Sequence, residues 1–202
     1  MAKNPMFNIQ YGLFVVTTNF EGRDNGCITN TTIQVTDKPN RISVAVNKAN
    51  FTNELIQRSG IVTVSIISEK ADFELFKHFG FQSGRDVDKF ADFTDCRRLA
   101  NGTLAVTRGT NAYITGHVTQ TVDLGTHTLF IVDVDEMETL TDDASATYNF
   151  YQANIKPRPQ AVKKTVWRCE ICGYEYEGET LPDDFICPWC KHPASDFVKV
   201  EA

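Results

Sequence analysis

Short runs of β-branched and aromatic residues, separated by turn residues, dominate the first 150 positions of the chain. Residues 11–18 read Tyr-Gly-Leu-Phe-Val-Val-Thr-Thr, residues 41–46 alternate between polar and apolar positions, and residues 61–67 are almost wholly apolar. Runs of this length and composition are typical of β-strands. The same pattern predicts further strands at 27–36, 102–107, 111–121, 128–134 and 146–152.

Helical spacing of apolar residues is confined to two short segments. A helix is predicted at about 52–58, with Asn50 or Thr52 as its N-cap, and a second at 71–79. Asn and Gly pairs predict a turn at 19–26, and Asp123-Leu-Gly-Thr predicts a hairpin between the strands on either side of it. Many strands with only two short helices predict a mainly β protein, an antiparallel barrel rather than a βαβ sheet.

Length and proline placement predict two domains. The 202 residues, 42% hydrophobic and 23% charged, suit one medium domain followed by a small one. We expect a domain at 1–155, a proline-containing linker at 156–166 and a small domain at 167–202. About ten extended linker residues span at most about 35 Å. The small domain therefore reaches only nearby surface, of its own or a partner subunit.

Charge is unevenly distributed and limits the partners. The net charge is −6, with +5 in residues 156–168 and −6 in residues 169–202. The basic run is short and broken by prolines, so it is interpreted as a solvated linker, and nucleic acid is not expected as a partner. An apolar leader segment and a membrane-spanning run are both absent from the sequence, which predicts a cytoplasmic protein without membrane association.

Four of the six cysteines form two Cys-x-x-Cys pairs: Cys169, Cys172, Cys187 and Cys190. Four thiolates at this spacing form a tetrahedral site for iron or zinc. The last 36 residues are too few to bury a sufficient core, so a bound metal would stabilise them. The other two cysteines, Cys27 and Cys96, do not form a secreted disulfide pattern and are expected to be reduced.

The flanks of these cysteines carry a resemblance. Gly173 follows the first pair, Pro188 lies within the second, and six aromatic residues predict a small core: Trp167, Tyr174, Tyr176, Phe185, Trp189 and Phe197. The segment resembles a rubredoxin, and its short loop is similar to the rubredoxin module of rubrerythrins. Lys191 stands where these proteins commonly have glycine. The resemblance implies one Fe(SCys)4 centre that carries one electron; a zinc ribbon that only holds the tail folded remains the alternative.

Polar residues cluster three times along the predicted strands. The clusters are Asn30, Thr31 and Thr32 with Gln34; Asn47, Lys48, Asn50 and Thr52; and Ser83, Gly84, Arg85 and Asp86. Hydroxyls, amides and a cation at strand ends can hold a phosphate and a polyol chain, and similar donors can hold the polar edge of a flavin ring. Each cluster alone is also compatible with a solvated strand face.

The same residues carry a second resemblance, over about residues 8–150. The run from Asn25 to Pro39, Asn47-Lys-x-Asn-x-Thr, Ser83-Gly-Arg-Asp and Gly125-Thr-His127 resemble the flavin reductase-like FMN-binding split barrel. With the rubredoxin segment, the chain resembles the high-molecular-weight rubredoxins. The resemblance implies bound FMN, a homodimer and oxidation of NADH or NADPH. Matching motifs assign FMN to Asn30, Thr31, Thr32, Gln34, Asn47, Lys48, Asn50, Thr52, Ser83 and Arg85.

The resemblance also implies a route for electrons. His127 matches a histidine near flavin and nicotinamide, although relatives often have Gly-Asp-His where this chain has Gly-Thr-His. Electrons would pass from NAD(P)H through FMN to iron, and then to a partner such as a flavodiiron protein reducing nitric oxide or oxygen. The acidic segment before Cys187 would steer a basic partner. Two alternatives stay open: a reductase supplying free reduced flavin, and a non-enzymatic flavoredoxin carrier with a zinc-ribbon-like tail.

Overall fold

The computed structural model describes residues 5–157 and 165–201, which belong to two units, Met1–Pro157 and Arg158–Ala202. Most of the predicted linker at 156–166 lies outside the described residues. In the first unit the strands are β1 (Phe14–Phe20), β2 (Arg23–Thr29), β3 (Ile33–Asp37), β4 (Asn40–Asn47), β5 (Ile61–Ile67), β6 (Cys96–Arg98), β7 (Leu104–Val106), β8 (Thr110–Asp123) and β9 (His127–Thr139).

The helices of the first unit are short. They are α1 (Phe51–Ser59), α2 (Phe73–Gly80) and α3 (Tyr148–Phe150), and α3 continues as a π-helical turn at Tyr151–Ile155. A 3-10 turn at Pro5–Asn8 precedes β1. Within the parts of the chain that the structure describes, no helix is long and apolar enough to cross a membrane. The protein is mainly β, as the sequence predicts.

Seven strands form one antiparallel sheet, in the order β2-β1-β5-β8-β9-β4-β3. Its edges, β2 and β3, are separated in sequence only by residues 30–32. The four backbone steps from Thr29 to Ile33 span at most about 14 Å, so the sheet curls until its edges approach. The Thr31 hydroxyl donates to the Ala45 carbonyl of β4 at 2.6 Å. The sheet is therefore an open, curled split barrel, and residues 30–32 bridge its split.

Two apolar clusters cover the two faces of the curled sheet. Adjacent residues of a strand point to opposite faces, and Val16 and Val15 accordingly belong to different clusters. The concave cluster collects side chains from strands across the sheet and from α1, including Val44, Val64, Phe130 and Ile56. The convex cluster is covered by α2 and the π-helical turn, with Leu75, Phe76, Phe79 and Tyr151.

Three predicted segments differ in the structure. Residues 19–26 are mostly strand, because Glu21 and Gly22, with φ of 52° and 81°, make the whole turn of a tight hairpin between β1 and β2. The strand predicted at 27–36 is interrupted at 30–32. The strand predicted at 146–152 is helical, because the Thr147 hydroxyl caps α3 by accepting from the Phe150 N–H at 3.1 Å.

The described part of the second unit is a three-stranded antiparallel sheet in the order β11-β10-β12. The strands are β10 (Thr165–Cys169), β11 (Glu175–Glu177) and β12 (Phe197–Glu201), the last preceded by a 3-10 turn at Ala194–Asp196. Its core combines Cys169, Cys187 and Phe197 with partly buried aromatic rings. So small a core is expected to need a bound metal for stability.

Candidate functional site

The four cysteines of the second unit meet at one point. Their Sγ atoms all lie within 4.8 Å of one another, with 3.6 Å between Cys169 and Cys190 and 3.5 Å between Cys172 and Cys187. Ligands about 2.3 Å from a tetrahedral ion lie about 3.8 Å from each other. The donor set therefore fits one iron or zinc ion bound by four thiolates.

Both Cys-x-x-Cys segments end in the same turn. Gly173 N–H donates to the Cys169 carbonyl and Lys191 N–H donates to the Cys187 carbonyl, both at 2.9 Å. Gly173 has φ of 76° and Lys191 has φ of 65°. Lys191 thus adopts the left-handed conformation usually taken by glycine, at a strain of about 1 kcal/mol. The turn is preserved, and the N–H of His192 still reaches the sulfur of Cys190.

Local dipoles prepare the thiols for a metal. Burial raises the pKa of Cys187, but the N–H groups of Cys190 and Trp189, together with the thiols of Cys190 and Cys172, lower that pKa to about 6. Burial and the neighbouring thiols raise the pKa of Cys190 to about 12. A bound cation would favour the thiolate form of all four cysteines.

The surroundings of the thiols divide into a core and an exposed rim. Five of the six predicted aromatic residues pack around the site: Trp167, Tyr174, Tyr176, Phe185 and Phe197. Trp189 differs, because 69% of it is exposed, and Ile171 in the other Cys-x-x-Cys segment is 58% exposed. The acids Glu175, Glu177, Glu179, Asp183 and Asp184 are exposed as well. The site thus lies beneath apolar surface on an acidic unit.

A cleft of about 270 Å³ lies in the first unit between the end of β2, the N-terminus of α1 and the loop after α2. We call it the α1 cleft; it is lined by Asn25, Cys27, Ala49, Asn50, Phe51, Thr52, Gly80, Phe81, Gln82, Ser83, Gly84 and Lys89. Asn50 is the N-cap of α1, but its side chain makes no capping hydrogen bond. The N-terminus of α1 therefore lacks a side-chain cap where it lines the cleft, and an anion would be favoured there.

Lys89 places a buried cation in the α1 cleft. The residue is only 4% exposed, and its ammonium donates to the carbonyls of Gly26 and Phe79, each at 2.9 Å. Burial lowers its pKa, which the nearby Cys27 thiol partly opposes. Among the described residues these two carbonyls are the only hydrogen-bond partners of the ammonium, so one of its three protons is left for a ligand. A carboxylate partner is missing among the same residues, which suits an incoming anion.

Asn25 and Gly84 hold the two walls of the α1 cleft together. Asn25 Nδ2 donates to the Thr52 hydroxyl at 3.0 Å. A Cβ at position 84 would lie 2.0 Å from Asn25 Oδ1, so only glycine lets this loop approach β2. On the loop, the Ser83 hydroxyl accepts from the Arg85 N–H at 3.1 Å. The cleft therefore joins two of the three predicted polar clusters.

A second cleft, about 460 Å³ in volume, lies at the split of the barrel. Its walls are residues 9–12 and residues 30–33, and we call it the Tyr11 cleft; a smaller cleft on its other side is lined by Met6, Tyr11, Asn30, Thr31 and Tyr148. The Thr32 hydroxyl is buried and has no hydrogen-bond partner among the described residues. A buried hydroxyl without a partner is rare, and Thr32 lies in the wall of this cleft.

The remaining predicted residues lie elsewhere. Lys48 is bonded to Asp123 at 2.6 Å, and neither Asn47 nor Lys48 lines the α1 cleft. His127 pairs with Asn47 across β9 and β4, and its Nδ1 contacts the Thr126 hydroxyl at 2.9 Å. These residues form a ridge at the exposed end of β4.

Gln34 and Arg85 do not line either of these two clefts. Gln34 is exposed on β3, where its amide donates to Asn40 at 3.0 Å, beside a third, apolar cleft. Arg85 lies 3.0 Å from Glu54 on α1. Sequence reasoning missed Lys89 and Tyr11. The only signal for Lys89 was its position just after the Ser83-Gly-Arg-Asp run.

Comparisons with known proteins relate the two units of the chain to two different families. Residues 6–157 match the flavin reductase like domain family, and residues 167–198 match the rubrerythrin, rubredoxin-like domain family. The high molecular weight rubredoxin of Moorella thermoacetica is 31% identical over 221 residues, covering 94% of this chain and 96% of that protein.

Two further relatives match the first unit. The ferric-chelate reductase (NAD(P)H) of Archaeoglobus fulgidus is 36% identical over 151 residues, covering 75% of this chain and 89% of that protein. Among solved structures, the flavin reductase PheA2 in its native state is 26% identical with a TM-score of 0.59, covering 70% of this chain and 86% of that one.

Proposed function

The chain belongs to the flavin reductase-like domain family, followed by a rubredoxin-like domain, and on that premise we propose that it oxidises NADH or NADPH with bound FMN and delivers electrons to an iron centre. The observation that carries the proposal is the α1 cleft. It sets a helix N-terminus beside a buried ammonium, on a chain that also holds a four-thiolate site.

The α1 cleft suits the phosphate of FMN. A phosphate monoester near pH 7 carries close to two negative charges and several acceptor oxygens. Lys89 offers one ammonium proton, α1 offers its first N–H groups, and Ser83 and Asn50 offer side-chain donors. Because Lys89 is buried before the ligand arrives, this charge is positioned in advance. Thr52 is bonded to Asn25 and supports the cleft wall.

The Tyr11 cleft suits the flavin ring. Cys27 lines the α1 cleft and Asn30 lines the Tyr11 cleft, and three strand steps correspond to about 10 Å. The five-carbon chain between phosphate and ring of a flavin nucleotide can follow that distance. Thr32 would then donate its unpartnered hydroxyl to the polar edge of the ring, with Asn30 and Thr31 beside it. Gln34, Asn47, Lys48 and His127 remain predictions for this site.

A bound flavin accepts a hydride and releases its electrons one at a time, which a four-thiolate iron centre requires. The protein residues hold and shield these groups. Tyr11 walls one side of the Tyr11 cleft, and its carbonyl accepts from the Tyr148 N–H at 2.8 Å, which ties this wall to the start of α3. The aromatic residues around Cys169 and Cys187 keep water from the buried sulfurs.

We propose that a second copy of the chain covers the third, apolar cleft. Its lining includes Phe14, Ile33, Ile42, Ile114 and Met137. Ile33 is 65% exposed and Met137 62% exposed, which is unfavourable for a surface that stays in water. Ile33→Asp is expected to convert a dimer into monomers in light scattering after gel filtration. A wild-type monomer at micromolar concentration would exclude the dimer.

We propose that the iron centre passes its electrons to a basic redox partner such as a flavodiiron protein. The exposed acids of the second unit would steer such a partner, and the apolar Ile171 and Trp189 would be covered by it. Transfer to the partner should then slow strongly as salt is raised, since exposed charges are screened. A transfer rate independent of salt would argue against such a partner.

An anaerobic titration with NADH tests the whole route. Flavin and iron absorption are followed together, and both are expected to bleach in sequence. A flavin that bleaches while iron stays oxidised for minutes would refute the internal transfer. A colourless, zinc-loaded protein from anaerobic native purification would refute the iron centre. Reduced flavin that separates from the protein on gel filtration would favour the free-flavin reductase.

Cys187→Ser separates the two halves of the proposal. The variant is expected to lose the iron absorption and transfer to the partner, yet to keep NADH oxidation with a dye as acceptor. A matched Cys96→Ser variant, outside the thiolate site, is expected to keep all three. Loss of dye reduction in Cys187→Ser alone would mean that the flavin site depends on the metal unit.

A further inference from the structure

Two arginines stand at the mouth of the α1 cleft without a place in the proposed flavin phosphate site. The guanidinium of Arg23 lies 4.5 Å from the ring centre of Phe51 and donates to the Gly84 carbonyl at 2.6 Å. The guanidinium of Arg85 lies 4.8 Å from the same ring. Phe51 and Gly84 both line the cleft. One ring and one loop therefore hold both cations at its edge.

The charges at this mouth are not balanced. Arg85 is 3.0 Å from Glu54, which also lies 3.9 Å from Arg58. Arg23 contacts a carbonyl and a ring, and among the described residues it has no carboxylate partner. Lys89 inside the cleft has none either. The phosphate of FMN needs only the inner cation and the helix terminus, so the outer positive charge is left without a role.

We infer that Arg23 and Arg85 form a second phosphate subsite, which binds a phosphate of a dinucleotide beyond the one held by Lys89. Stacking on Phe51 fixes the planes of the guanidinium groups, and a fixed guanidinium binds phosphate with two parallel hydrogen bonds. Two ligands share this chemistry: FAD through its second phosphate, and NADPH through its adenosine 2′-phosphate. The inference rests on the proposed function, because it presupposes a flavin in the α1 cleft.

The test uses the flavin-free full-length chain and three variants: Arg23→Gln, Arg85→Gln and Arg58→Gln. Arg58 is the matched control, because it shares Glu54 but lies over Phe20, away from the cleft. Calorimetric titration measures the affinity for FMN and FAD. Steady-state kinetics of the FMN-loaded chain measures KM for NADH and NADPH. Arg23→Gln is expected to weaken FAD or NADPH about 10-fold or more, and to change FMN and NADH less than about 3-fold.

Each outcome has one meaning. Selective loss of FAD identifies the flavin pyrophosphate as the ligand, and selective loss of NADPH identifies the nicotinamide dinucleotide. Equal loss of FMN and FAD would overturn the inference, because the arginines would then bind the first phosphate. Unchanged affinities and KM values in both variants would overturn it too. If the wild-type chain binds no flavin, the proposed function itself fails, and the inference fails with it.

Discussion

Lys89→Met tests the proposed phosphate site most directly. Methionine keeps an unbranched stem of similar length and removes the charge. Lys89 is 4% exposed, and among the described residues its ammonium donates only to the carbonyls of Gly26 and Phe79. The variant leaves those carbonyls without a donor but also removes a buried charge. These effects on the free energy of unfolding oppose each other, so the variant is expected to fold.

The magnitude follows from the bond that is lost. A hydrogen bond between an ionised donor and a phosphate is worth about 1.5–3 kcal/mol, which corresponds to about 10- to 150-fold in affinity. The upper part of that range applies, because the desolvation of Lys89 is already complete before the ligand binds. Riboflavin has no phosphate, so its affinity should stay unchanged. The ratio of the FMN and riboflavin affinities therefore isolates the phosphate contact.

Calorimetric titration of the flavin-free full-length chain with FMN and with riboflavin measures this ratio. Lys77→Met is the control, because Lys77 is exposed on α2 and pairs with Glu74 at 3.5 Å. Burial lowers the pKa of Lys89 below its ordinary value of 10.5. The wild-type ratio should therefore fall as the pH rises through that lowered pKa, and the ratio in Lys89→Met should stay flat there.

Two results would refute the reasoning. If Lys89→Met binds FMN as tightly as the wild type, the ammonium makes no phosphate contact. If FMN and riboflavin lose affinity equally, Lys89 only shapes the cleft wall through its two carbonyl contacts.

Two smaller changes test local physics. Lys191→Gly should raise the free energy of unfolding of the metal-loaded second unit by about 1 kcal/mol, because glycine adopts φ of 65° without strain. Denaturant titration followed by the metal's absorption measures this free energy. A loss of stability in the variant would contradict the strain at Lys191. Asp72→Asn keeps an N-cap on α2 but removes the ion pair with Arg108. Burial alone would raise the pKa of Asp72, but Arg108 and the Leu75 N–H together hold it below 3.8. The carboxylate therefore stabilises the fold above that pH. This stabilisation is lost as the pH falls through the lowered pKa. Acid titration of unfolding should show wild type and variant converging there, and a constant gap down to pH 2 would contradict the assignment.

The metal site could be predicted in full from the sequence because all its ligands lie in two local turns. Cys169-x-x-Cys172 and its counterpart each place two sulfurs on one side of a turn, whatever the rest of the fold. Even the departure at Lys191 changes only a backbone strain, since the Lys191 N–H still donates to Cys187 at 2.9 Å.

The proposed flavin site could be predicted only in part, because its residues come from distant parts of the chain. Thr31 and Thr32 could be found because they lie in one run, and the structure puts them at the split of the barrel. Lys89 was missed because its neighbours Asp86 and Asp88 read as a solvated loop. Its burial comes from contacts with Gly26 and Phe79, which no local pattern encodes.

The missed helix after Thr147 has a different origin. Tyr148, Phe150 and Tyr151 are aromatic residues of the kind enriched in strands, which favours a strand when the segment is considered by composition alone. The hydrogen bond from the Phe150 N–H to the Thr147 hydroxyl decides the local structure. A cap thus overrides the composition of a short segment when the segment also packs beneath a sheet.

The order of strands in the sheet has a consequence for synthesis on the ribosome. β8 and β9 lie between β5 and β4, yet they are translated after both. Until Thr139 has emerged, the nascent chain carries two partial sheets whose inner edges are unpaired, and such edges invite association with other chains. Pairings as distant as Val44 with Phe130 also close slowly. We expect a pause in translation before β9 to leave this protein most exposed to aggregation.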